Sequence, residues 1–206
     1  MLTSELLKNK AIFLDRDGTI NEEMGYINHI HRFKMFDFVP ESIGIFRRLG
    51  FKIIIVTNQS GIARGYFTEK LLNEVHGKLI KQLKSSGEAV DDIYYCPHHP
   101  TEGRPPYRLD CDCRKPKPGM ILRAKEDWDL DLSKCLLVGD RYKDIRFAKS
   151  LGIGTAMVLT GYGLGEYTYQ RGSWENEPDI IGDNLLEVAK KLFAWRAEND
   201  RVDKKR

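Results

Sequence analysis

The chain has 206 residues, 41% of them hydrophobic, which suits a single domain over residues 1–206 and argues against a second large domain. Its formal net charge is only +3, and part of the basic excess lies in residues 201–206, so we predict no nucleic-acid binding and a frayed tail at about 197–206. No apolar run approaches the roughly 20 residues that span a bilayer, and no signal-peptide core precedes the first strand, so we expect a cytoplasmic monomer without membrane contact.

Predicted strands and helices alternate along the chain. The strands are expected at Lys10–Leu14, Lys52–Val56, Ile93–Tyr95, Cys135–Val138 and Thr155–Leu159. Helices are expected near Glu41–Leu49, Thr68–Ser85, Gly119–Asp127, Lys143–Leu151 and Asn184–Trp195. This alternation predicts an α/β fold with a parallel, Rossmann-like sheet flanked by helices, in which ligands bind at the carboxyl ends of the strands.

The first predicted strand ends in two carboxylates. Asp15-Arg16-Asp17-Gly18-Thr19 follows the apolar run Lys10–Leu14 directly. Two like charges this close must be hydrated or neutralised by a cation, and residues two apart on an extended segment project to the same side. The pattern indicates a Mg²⁺ site and a carboxylate nucleophile, although Asp and Gly also favour a plain turn.

Two later strands also end in polar residues. Lys52–Val56 is followed by Thr57-Asn58-Gln59-Ser60-Gly61, and Cys135–Val138 is followed by Gly139-Asp140-Arg141. Between them, the basic turn Arg114-Lys115-Pro116-Lys117-Pro118-Gly119 precedes a helical pattern. Because the carboxyl ends of parallel strands meet at one edge of a sheet, we expect these segments to surround one site.

Several helix boundaries carry their own signals. Thr68 is a good helix start, Gly50 and Gly152 stand where helices should end, and Asp183 or Asn184 can cap the last helix. In the helix after Thr68, apolar residues recur at helical spacing and are predicted to be core: Leu71, Leu72, Val75, Leu79, Ile80 and Leu83.

Three cysteines and a histidine form a second possible metal site. Cys96, His98, Cys111 and Cys113 supply the donors of a closed tetrahedral Zn²⁺ site, with disulfides as the alternative that a reducing compartment disfavours. The fourth cysteine, Cys135, lies in an apolar strand and is predicted to be core. The segment between the two pairs is polar and proline-rich and cannot order itself by burial, so we predict a zinc loop at about 96–113, held over the active site.

Residues 22–38 show neither a strand nor a helix period and are predicted to form a flap that excludes water from the site. We interpret the histidines in it, His29 and His31, as polar loop residues rather than catalytic groups. The segment Gly161–Gly165 follows a strand but precedes no clear helix, so we do not predict a phosphate-binding loop there.

Four of these segments, in this order, resemble the motifs of the haloacid dehalogenase-like (HAD) phosphatases: Asp-x-Asp-Gly-Thr, the strand-end Thr57, Lys115 before a helix, and Gly-Asp at 139–140. The resemblance implies a HAD-like fold without a large cap domain and Mg²⁺-dependent phosphatase activity. It makes Asp15 the nucleophile that forms an aspartyl-phosphate, and Asp17 the general acid and base. It places Mg²⁺ on Asp15, the backbone carbonyl of Asp17 and Asp140.

The same resemblance implies which groups stabilise the transferring phosphoryl group. These are Thr57, the backbone of Asn58 and Lys115. Lys117 competes for the role of Lys115, which we favour because it directly follows Cys-x-Cys-Arg. Asp144 is either a group that orients the Asp140 loop or a solvated residue in the first turn of a helix.

The cysteine pattern narrows the resemblance. Asp-Arg-Asp-Gly-Thr-Ile-Asn, Thr-Asn-Gln-Ser-Gly-Ile-Ala-Arg-Gly and Cys-Pro-His-His-Pro…Cys-Asp-Cys-Arg-Lys-Pro together resemble the D-glycero-D-manno-heptose-1,7-bisphosphate 7-phosphatases, with histidinol-phosphate phosphatases as the close alternative. This implies a sugar bisphosphate substrate and contacts from Glu23, Met24, Gly25, Tyr26, Asn58, Gln59, Ser60, Arg114 and Arg141. A zinc-stabilised binding module without activity is the alternative from another class, which the complete catalytic set disfavours.

Overall fold

The computed structural model describes residues 9–203, in which a parallel sheet is covered on both faces by helices. The strands are β1 (Ala11–Leu14), β2 (Lys52–Asn58), β3 (Asp92–Cys96), β4 (Leu136–Gly139), β5 (Gly154–Val158) and β6 (Ile180–Gly182). The helices are α1 (Val39–Arg48), α2 (Glu69–Ser85), α3 (Gly119–Trp128), α4 (Tyr142–Ser150), α5 (Gly163–Gln170) and α6 (Leu185–Asp203). None of these described helices combines the length and apolar character needed to cross a bilayer.

The predicted α/β class is confirmed, with no large cap domain inserted in the described range. Helix α6 runs on to Asp203, past the start of the tail that we predicted to fray at about 197–206. Residues 204–206 of that tail lie outside the described part of the chain.

The sheet has the strand order β3-β2-β1-β4-β5-β6, and every pairing is parallel. Strand β1 lies between β2 and β4, and Leu14 at its end is level with both Ile55 and Val138. The direction in which successive strands are added therefore reverses between β1 and β4. Open α/β sheets bind ligands in the crevice at this reversal, and the three strands with polar ends meet there.

Alternate residues of β1 enter two separate cores. Ile12 and Leu14 pack on the face covered by α1, α2 and α6, whereas Ala11 and Phe13 pack on the face covered by α3 and α4. All four side chains are buried, as expected of a central strand in a parallel sheet with two covered faces. This two-sided packing fixes the carboxyl end of β1, where Asp15 follows.

Two predicted helix caps are confirmed. Thr68 Oγ1 accepts the N–H of Leu71 at 3.2 Å and starts α2. Asn184 Oδ1 accepts the N–H groups of Leu186 and Glu187 at 3.0 and 3.1 Å and starts α6. Each side chain thereby satisfies N–H groups that have no partner within the helix.

The predicted ends of α1 and α4 are also confirmed, since Gly50 and Gly152 follow them with φ of +81° and +69°. Glycine adopts this left-handed conformation more readily than any other residue. One predicted core position is wrong: the Ile80 side chain is 48% exposed. It lies just outside the buried stripe of α2, which contains Leu72, Val75, Leu79 and Leu83.

Two elements were not predicted, α5 and β6. Strand β6 has three residues, too few to show a period of two. Helix α5 begins with Gly163 and Gly165, which lower helix propensity, and the expectation that no helix follows this glycine-rich segment is wrong. Gly163 is needed there because a Cβ atom would lie 1.9 Å from the carbonyl oxygen of Val158.

Candidate active site

A cavity of about 270 Å³ opens at the carboxyl ends of β1, β2 and β4. Its lining contains four carboxylates and four cationic side chains, together with small polar groups and two tyrosines. Such a lining suits a small, charged and polar ligand. The lining residues are Asp15, Asp17, Glu23, Gly25, Tyr26, Thr57, Asn58, Ser60, Arg114, Lys115, Asp140, Arg141, Lys143 and Tyr162.

The Lys115 ammonium lies between two carboxylates. Its Nζ is 3.1 Å from Asp15 Oδ1 and 2.8 Å from Asp144 Oδ1, and the Lys115 and Asp144 side chains are only 5% and 1% exposed. Burial raises the pKa of Asp15, and the charge of Lys115 opposes this effect. Burial by itself would lower the pKa of Lys115, but Asp144 and Asp15 outweigh it and raise that pKa. Lys115 is therefore a fixed positive charge beside Asp15.

The Asp17 carboxylate is held by three neighbouring side chains. Arg16 Nη2 donates to its two oxygens at 2.8 and 2.7 Å, and Asn21 Nδ2 and Gln59 Nε2 each donate at 2.9 Å. Burial acts to raise the pKa of Asp17, but the charge of Arg16 and these hydrogen bonds outweigh it and hold the pKa below its ordinary value. Asp17 is therefore ionised at neutral pH.

The end of β2 positions the loop that carries Lys115. Asn58 Oδ1 accepts the backbone N–H of Lys115, and Asn58 Nδ2 donates to its carbonyl, both at 3.0 Å. Gln59 Nε2 donates to Thr57 Oγ1 at 2.9 Å, which leaves the hydroxyl proton of Thr57 free to be donated elsewhere. Strand β2 thus sets the relative positions of Thr57 and Lys115.

Asp140, which follows β4, is packed against two glycines. A Cβ atom at Gly18 or Gly161 would lie 2.1 or 2.2 Å from Asp140 Oδ2. The same oxygen accepts the N–H of Tyr162 at 2.9 Å. Burial, followed by the charge of Asp15, raises the pKa of Asp140 to about 8.

The carboxylates at this site fit a divalent cation. Oxygen atoms of Asp15, Asp140 and Asp144 lie within 4.8 Å of one another. Buried carboxylates this close need positive charge, and Lys115 supplies only one unit. Carboxylate oxygens are the ligands that Mg²⁺ prefers, so the donor set fits that ion.

A second group of metal donors lies at the end of β3. The donor atoms of Cys96, His98, Cys111 and Cys113 all lie within 4.8 Å of one another. The Cys111 Sγ atom is 3.5 Å from that of Cys96 and 3.2 Å from that of Cys113, well beyond the roughly 2.05 Å of a disulfide. The disulfide alternative is therefore wrong, and the four donors fit a tetrahedral zinc ion.

The loop between these donors touches the loop that follows β2. Gly103 lies so close to Ala63 that a Cβ atom would be 1.8 Å from the Ala63 carbonyl oxygen. The Nη2 atom of Arg64 is 3.0 Å from Nε2 of His99. These contacts hold the loop over residues 96–113 against the loop after Thr57, so a disordered zinc loop would also loosen the loop after Thr57.

The chain is similar to a known phosphatase along most of its length. It is 40% identical over 189 residues to the D-glycero-beta-D-manno-heptose-1,7-bisphosphate 7-phosphatase of Haemophilus influenzae, which covers 89% of this chain and 97% of that protein. The chain belongs to the haloacid dehalogenase-like (HAD) phosphatase family.

Further comparisons agree with this HAD assignment. A family model described as HAD-hydrolase-like matches residues 112–188. The D-glycero-alpha-D-manno-heptose-1,7-bisphosphate 7-phosphatase of Burkholderia mallei is 42% identical over 153 residues, 74% of this chain and 81% of that protein. The crystal structure of D,D-heptose 1,7-bisphosphate phosphatase from B. bronchiseptica, complexed with magnesium and phosphate, matches with a TM-score of 0.78 and 30% identity, covering 90% and 98% of the two chains. This HAD protein is a phosphoric monoester hydrolase.

Most of the substrate-binding residues predicted for this HAD phosphatase line the cavity, but two do not. Met24 offers its backbone carbonyl to Arg32 Nη2 at 3.0 Å, outside the lining. Gln59 is buried beneath the cavity, where it holds Asp17. Both were predicted only from the family resemblance, and both adjoin residues that do line the cavity.

Two lining residues were not predicted, Lys143 and Tyr162. Lys143 lies in the first turn of α4, three residues after Asp140, so its position after a strand-end carboxylate was an available signal. Tyr162 lies in the glycine-rich segment after β5. The Arg141 guanidinium lies over its ring, with Cζ 4.2 Å from the ring centroid. Glu166 Oε1 accepts from Arg141 Nε at 2.5 Å and fixes the other side of that guanidinium.

The structure places two residues whose roles the sequence left open. The interpretation of Asp144 as a solvated residue is wrong, because it is buried against Lys115. Lys117 is 42% exposed and pairs with Asp110 at 2.6 Å, outside the cavity that contains Lys115. His29 and His31 are exposed, stack on each other at 5.1 Å and are not among the residues that line the cavity.

Proposed function

We propose that this HAD phosphatase removes the 7-phosphate of D-glycero-D-manno-heptose 1,7-bisphosphate. The observation that carries the proposal is the distribution of positive charge in the cavity. Besides Lys115, the lining contains three cationic side chains, Arg114, Arg141 and Lys143. One phosphoryl group requires only the charge beside the nucleophile, whereas the further cations suit a second phosphate on the same small sugar. The names of the Haemophilus and Burkholderia relatives support this substrate.

Asp15 is the proposed nucleophile. Its carboxylate lines the cavity at the end of β1, 3.1 Å from Lys115 Nζ. Attack of the carboxylate oxygen on phosphorus forms an aspartyl-phosphate and releases the sugar oxygen, and water then hydrolyses the acyl phosphate. This route divides one difficult displacement into two easier ones.

Asp17 is the proposed general acid and base. Its lowered pKa leaves it ionised in the free protein, so the proton that it gives to the leaving sugar oxygen enters with the substrate, since a phosphomonoester has a second pKa of about 6. After the sugar leaves, the Asp17 carboxylate accepts a proton from the attacking water. Such proton transfers typically contribute about 10²- to 10⁴-fold in rate.

Thr57, the backbone N–H of Asn58 and Lys115 are the proposed partners of the transferring phosphoryl group. Thr57 has a free hydroxyl proton, and Lys115 is held charged by two carboxylates. Donors that are fixed before the reaction stabilise the developing charge without reorganisation.

We infer that Mg²⁺ binds to Asp15, the backbone carbonyl of Asp17 and Asp140. The close carboxylates and the raised pKa of Asp140 support a site for a divalent cation. When bound, Mg²⁺ supplies positive charge that neutralises the phosphoryl oxygens. Asp144 is not part of the proposed ligand set because it pairs with Lys115 and does not line the cavity.

Residues 22–38 are the proposed flap, within a chain that acts as one domain. The N–H of Glu22 donates to the Lys34 carbonyl at 3.0 Å, which closes the segment into a loop. At the mouth of the cavity, the Tyr26 ring packs edge-on against Tyr66 at 4.6 Å. A loop in this place excludes water from the aspartyl-phosphate until the sugar has left.

Zinc is the proposed ion of the cysteine cluster, and its role is structural because four protein ligands leave no open position. Purified protein is expected to contain one zinc per chain, and Cys111→Ser is expected to lose most of it. Without the ion, the polar residues 99–110 should become accessible to proteases while the sheet stays folded. Metal analysis by mass spectrometry and limited proteolysis measure the two effects.

Cys135→Ser is the matched control for this zinc prediction. Cys135 is buried beside Ala11, whose N–H it accepts at 3.3 Å, and it is not part of the cluster. Its replacement should leave the zinc content unchanged. Wild-type protein without bound zinc, or Cys111→Ser with a full complement, would contradict the assignment.

The substrate is tested by phosphate release from both anomers of the heptose 1,7-bisphosphate and from histidinol phosphate. We expect kcat/KM for at least one heptose anomer to be about 100-fold or more higher than for histidinol phosphate. The reason is that two charge-assisted hydrogen bonds to the second phosphate of the heptose contribute about 3 kcal/mol or more. Arg114→Ala should lower kcat/KM for the bisphosphate about 10- to 100-fold and change that for heptose 7-phosphate by less than about threefold. A higher kcat/KM for histidinol phosphate would instead establish the alternative function.

Arg123→Ala is the matched control for Arg114→Ala. The Arg123 side chain is 75% exposed on α3, pairs with Asp127 and does not line the cavity. Its replacement should leave kcat/KM for both heptose substrates unchanged. Equal losses on the two substrates in Arg114→Ala would show that Arg114 does not bind the second phosphate.

A further inference from the structure

A buried arginine lies between the two aspartates of the first motif. Arg16 is 1% exposed, and its Nη2 atom donates to both oxygens of Asp17. Its Nε atom also lies 3.2 Å from Asp17 Oδ1, so one edge of the guanidinium faces this carboxylate. A buried guanidinium needs partners on its other side as well, because an unpaired N–H in the interior costs free energy.

The partner on the other side is His76 of α2. Its Nε2 atom is 3.3 Å from Arg16 Nη1. Arginine has only donors, so Nε2 must accept, and the ring is neutral with its proton on Nδ1. Burial, followed by the charge of Arg16, lowers the pKa of His76 to about 3, so the ring remains an acceptor throughout the neutral range.

The His76 ring is itself held in place. It is 7% exposed and packs edge-on against Tyr95 of β3 at 5.8 Å. The Tyr95 hydroxyl donates in turn to Glu69 Oε1 at 3.4 Å. Arg16 is thus clamped between a fixed ring and the Asp17 carboxylate, and it has little freedom to change rotamer.

We propose that His76 is a positioning residue: it fixes Arg16, and Arg16 fixes the orientation of the Asp17 carboxylate for proton transfer to the leaving group. The inference rests on the role proposed above for Asp17. Asn21 and Gln59 also hold Asp17, but each makes a single hydrogen bond to it, whereas Arg16 contacts both oxygens. Loss of the His76 acceptor leaves Arg16 free to turn away, and the carboxylate then loses its two-point contact.

The test compares two leaving groups. His76→Leu keeps a side chain of similar bulk without an acceptor. It should lower kcat/KM for the heptose 1,7-bisphosphate about 10- to 100-fold, because a small misplacement of a catalytic group has effects of that size. It should change kcat/KM for p-nitrophenyl phosphate by less than about threefold, because nitrophenolate leaves without a proton and kcat/KM reports only the steps up to its departure. Fructose 1,6-bisphosphate replaces the heptose as the alkyl phosphate if the heptose is not turned over.

Conservative variants separate positioning from a loss of stability. His76→Gln places an amide oxygen near the site of Nε2 and should restore activity on the alkyl phosphate to within about threefold of wild type, whereas the shorter His76→Asn should behave as His76→Leu. These two variants carry the comparison if His76→Leu does not fold. Val75→Ala, one residue earlier in the core, should lower the melting temperature without changing the ratio of the two kcat/KM values.

Asp17→Asn distinguishes failure of this inference from failure of the proposed function. If Asp17→Asn lowers kcat/KM equally for the alkyl and the aryl phosphate, the proposed proton transfer from Asp17 to the leaving group is wrong and the inference fails with it. If Asp17→Asn is selective for the alkyl phosphate but His76→Leu is wild-type-like or loses both activities equally, only the role of His76 is overturned. Selective loss in both variants, with rescue by His76→Gln, is the expected result.

Discussion

Replacement of Asp15 by asparagine is expected to lower kcat at least about 10⁴-fold, because an amide is a poor nucleophile and loss of the nucleophile removes the covalent route. Rapid acid quenching of the wild type should trap one hydroxylamine-sensitive phosphoryl group per chain, and the Asp15→Asn protein should trap none. The free energy of unfolding should change by only about 1 kcal/mol, since the variant loses a partner of Lys115 but also a buried charge.

Asp129→Asn is the matched control for this chemical change. Asp129 follows α3 at the opposite end from Lys115 and has a left-handed backbone with φ of +48°, which asparagine accepts readily. It should retain wild-type turnover and phosphoryl trapping. Substantial turnover by Asp15→Asn, or a trapped phosphoryl group in that variant, would show that Asp15 is not the nucleophile.

Replacement of Lys115 by methionine is expected to affect both stability and activity. The change leaves Asp15 and Asp144 buried together without their shared cation. Removal of one partner from a buried ion pair typically costs about 3–5 kcal/mol, which urea unfolding without added Mg²⁺ can measure. Phosphate release should fall in the same variant, because the positive charge beside the transferring phosphoryl group is lost.

Two further variants make this prediction specific. Lys117→Met removes an exposed charge two residues away and should change the free energy of unfolding by less than about 1 kcal/mol, with turnover retained. Adding Asp144→Asn to Lys115→Met should recover part of the lost stability, because it removes one of the two stranded carboxylates. An unfolding free energy for Lys115→Met equal to that of Lys117→Met would show that the buried ion pairs do not stabilise this site.

The strand-end residues of the candidate site could be predicted because each follows an apolar run directly. Parallel pairing then brings Asp15, Thr57 and Asp140 to one edge of the sheet, whatever the details of the loops. Lys115 could be assigned only to a turn, because no periodic element carries it. Its place depends on Asn58, which bonds both backbone groups of Lys115 from 57 residues away.

The support beneath the site could not be predicted from local pattern. In the sequence, Arg16 is only the residue between Asp15 and Asp17. His76 is a single polar residue among the apolar positions of α2. They meet only because α2 packs against the sheet next to β1, a contact that is 60 residues apart in sequence. Helix α5 could not be predicted because its two glycines lower the local helix propensity. Gly163 is nevertheless needed there, because its backbone lies too close to the Val158 carbonyl for a side chain.

The glycines that face Asp140 also constrain the Mg²⁺ site proposed above. Asp140 Oδ2 lies against Gly18 and Gly161 and accepts the N–H of Tyr162, so the other oxygen, Oδ1, is the one that a bound Mg²⁺ would contact. A single oxygen at a fixed point suits a small ion with octahedral geometry and bonds of about 2.0–2.1 Å. Calcium often takes both oxygens of a carboxylate, and Oδ2 of Asp140 is already packed against the two glycines. If Asp140 binds Mg²⁺ as proposed, the backbone that surrounds its carboxylate would favour the smaller of these two ions.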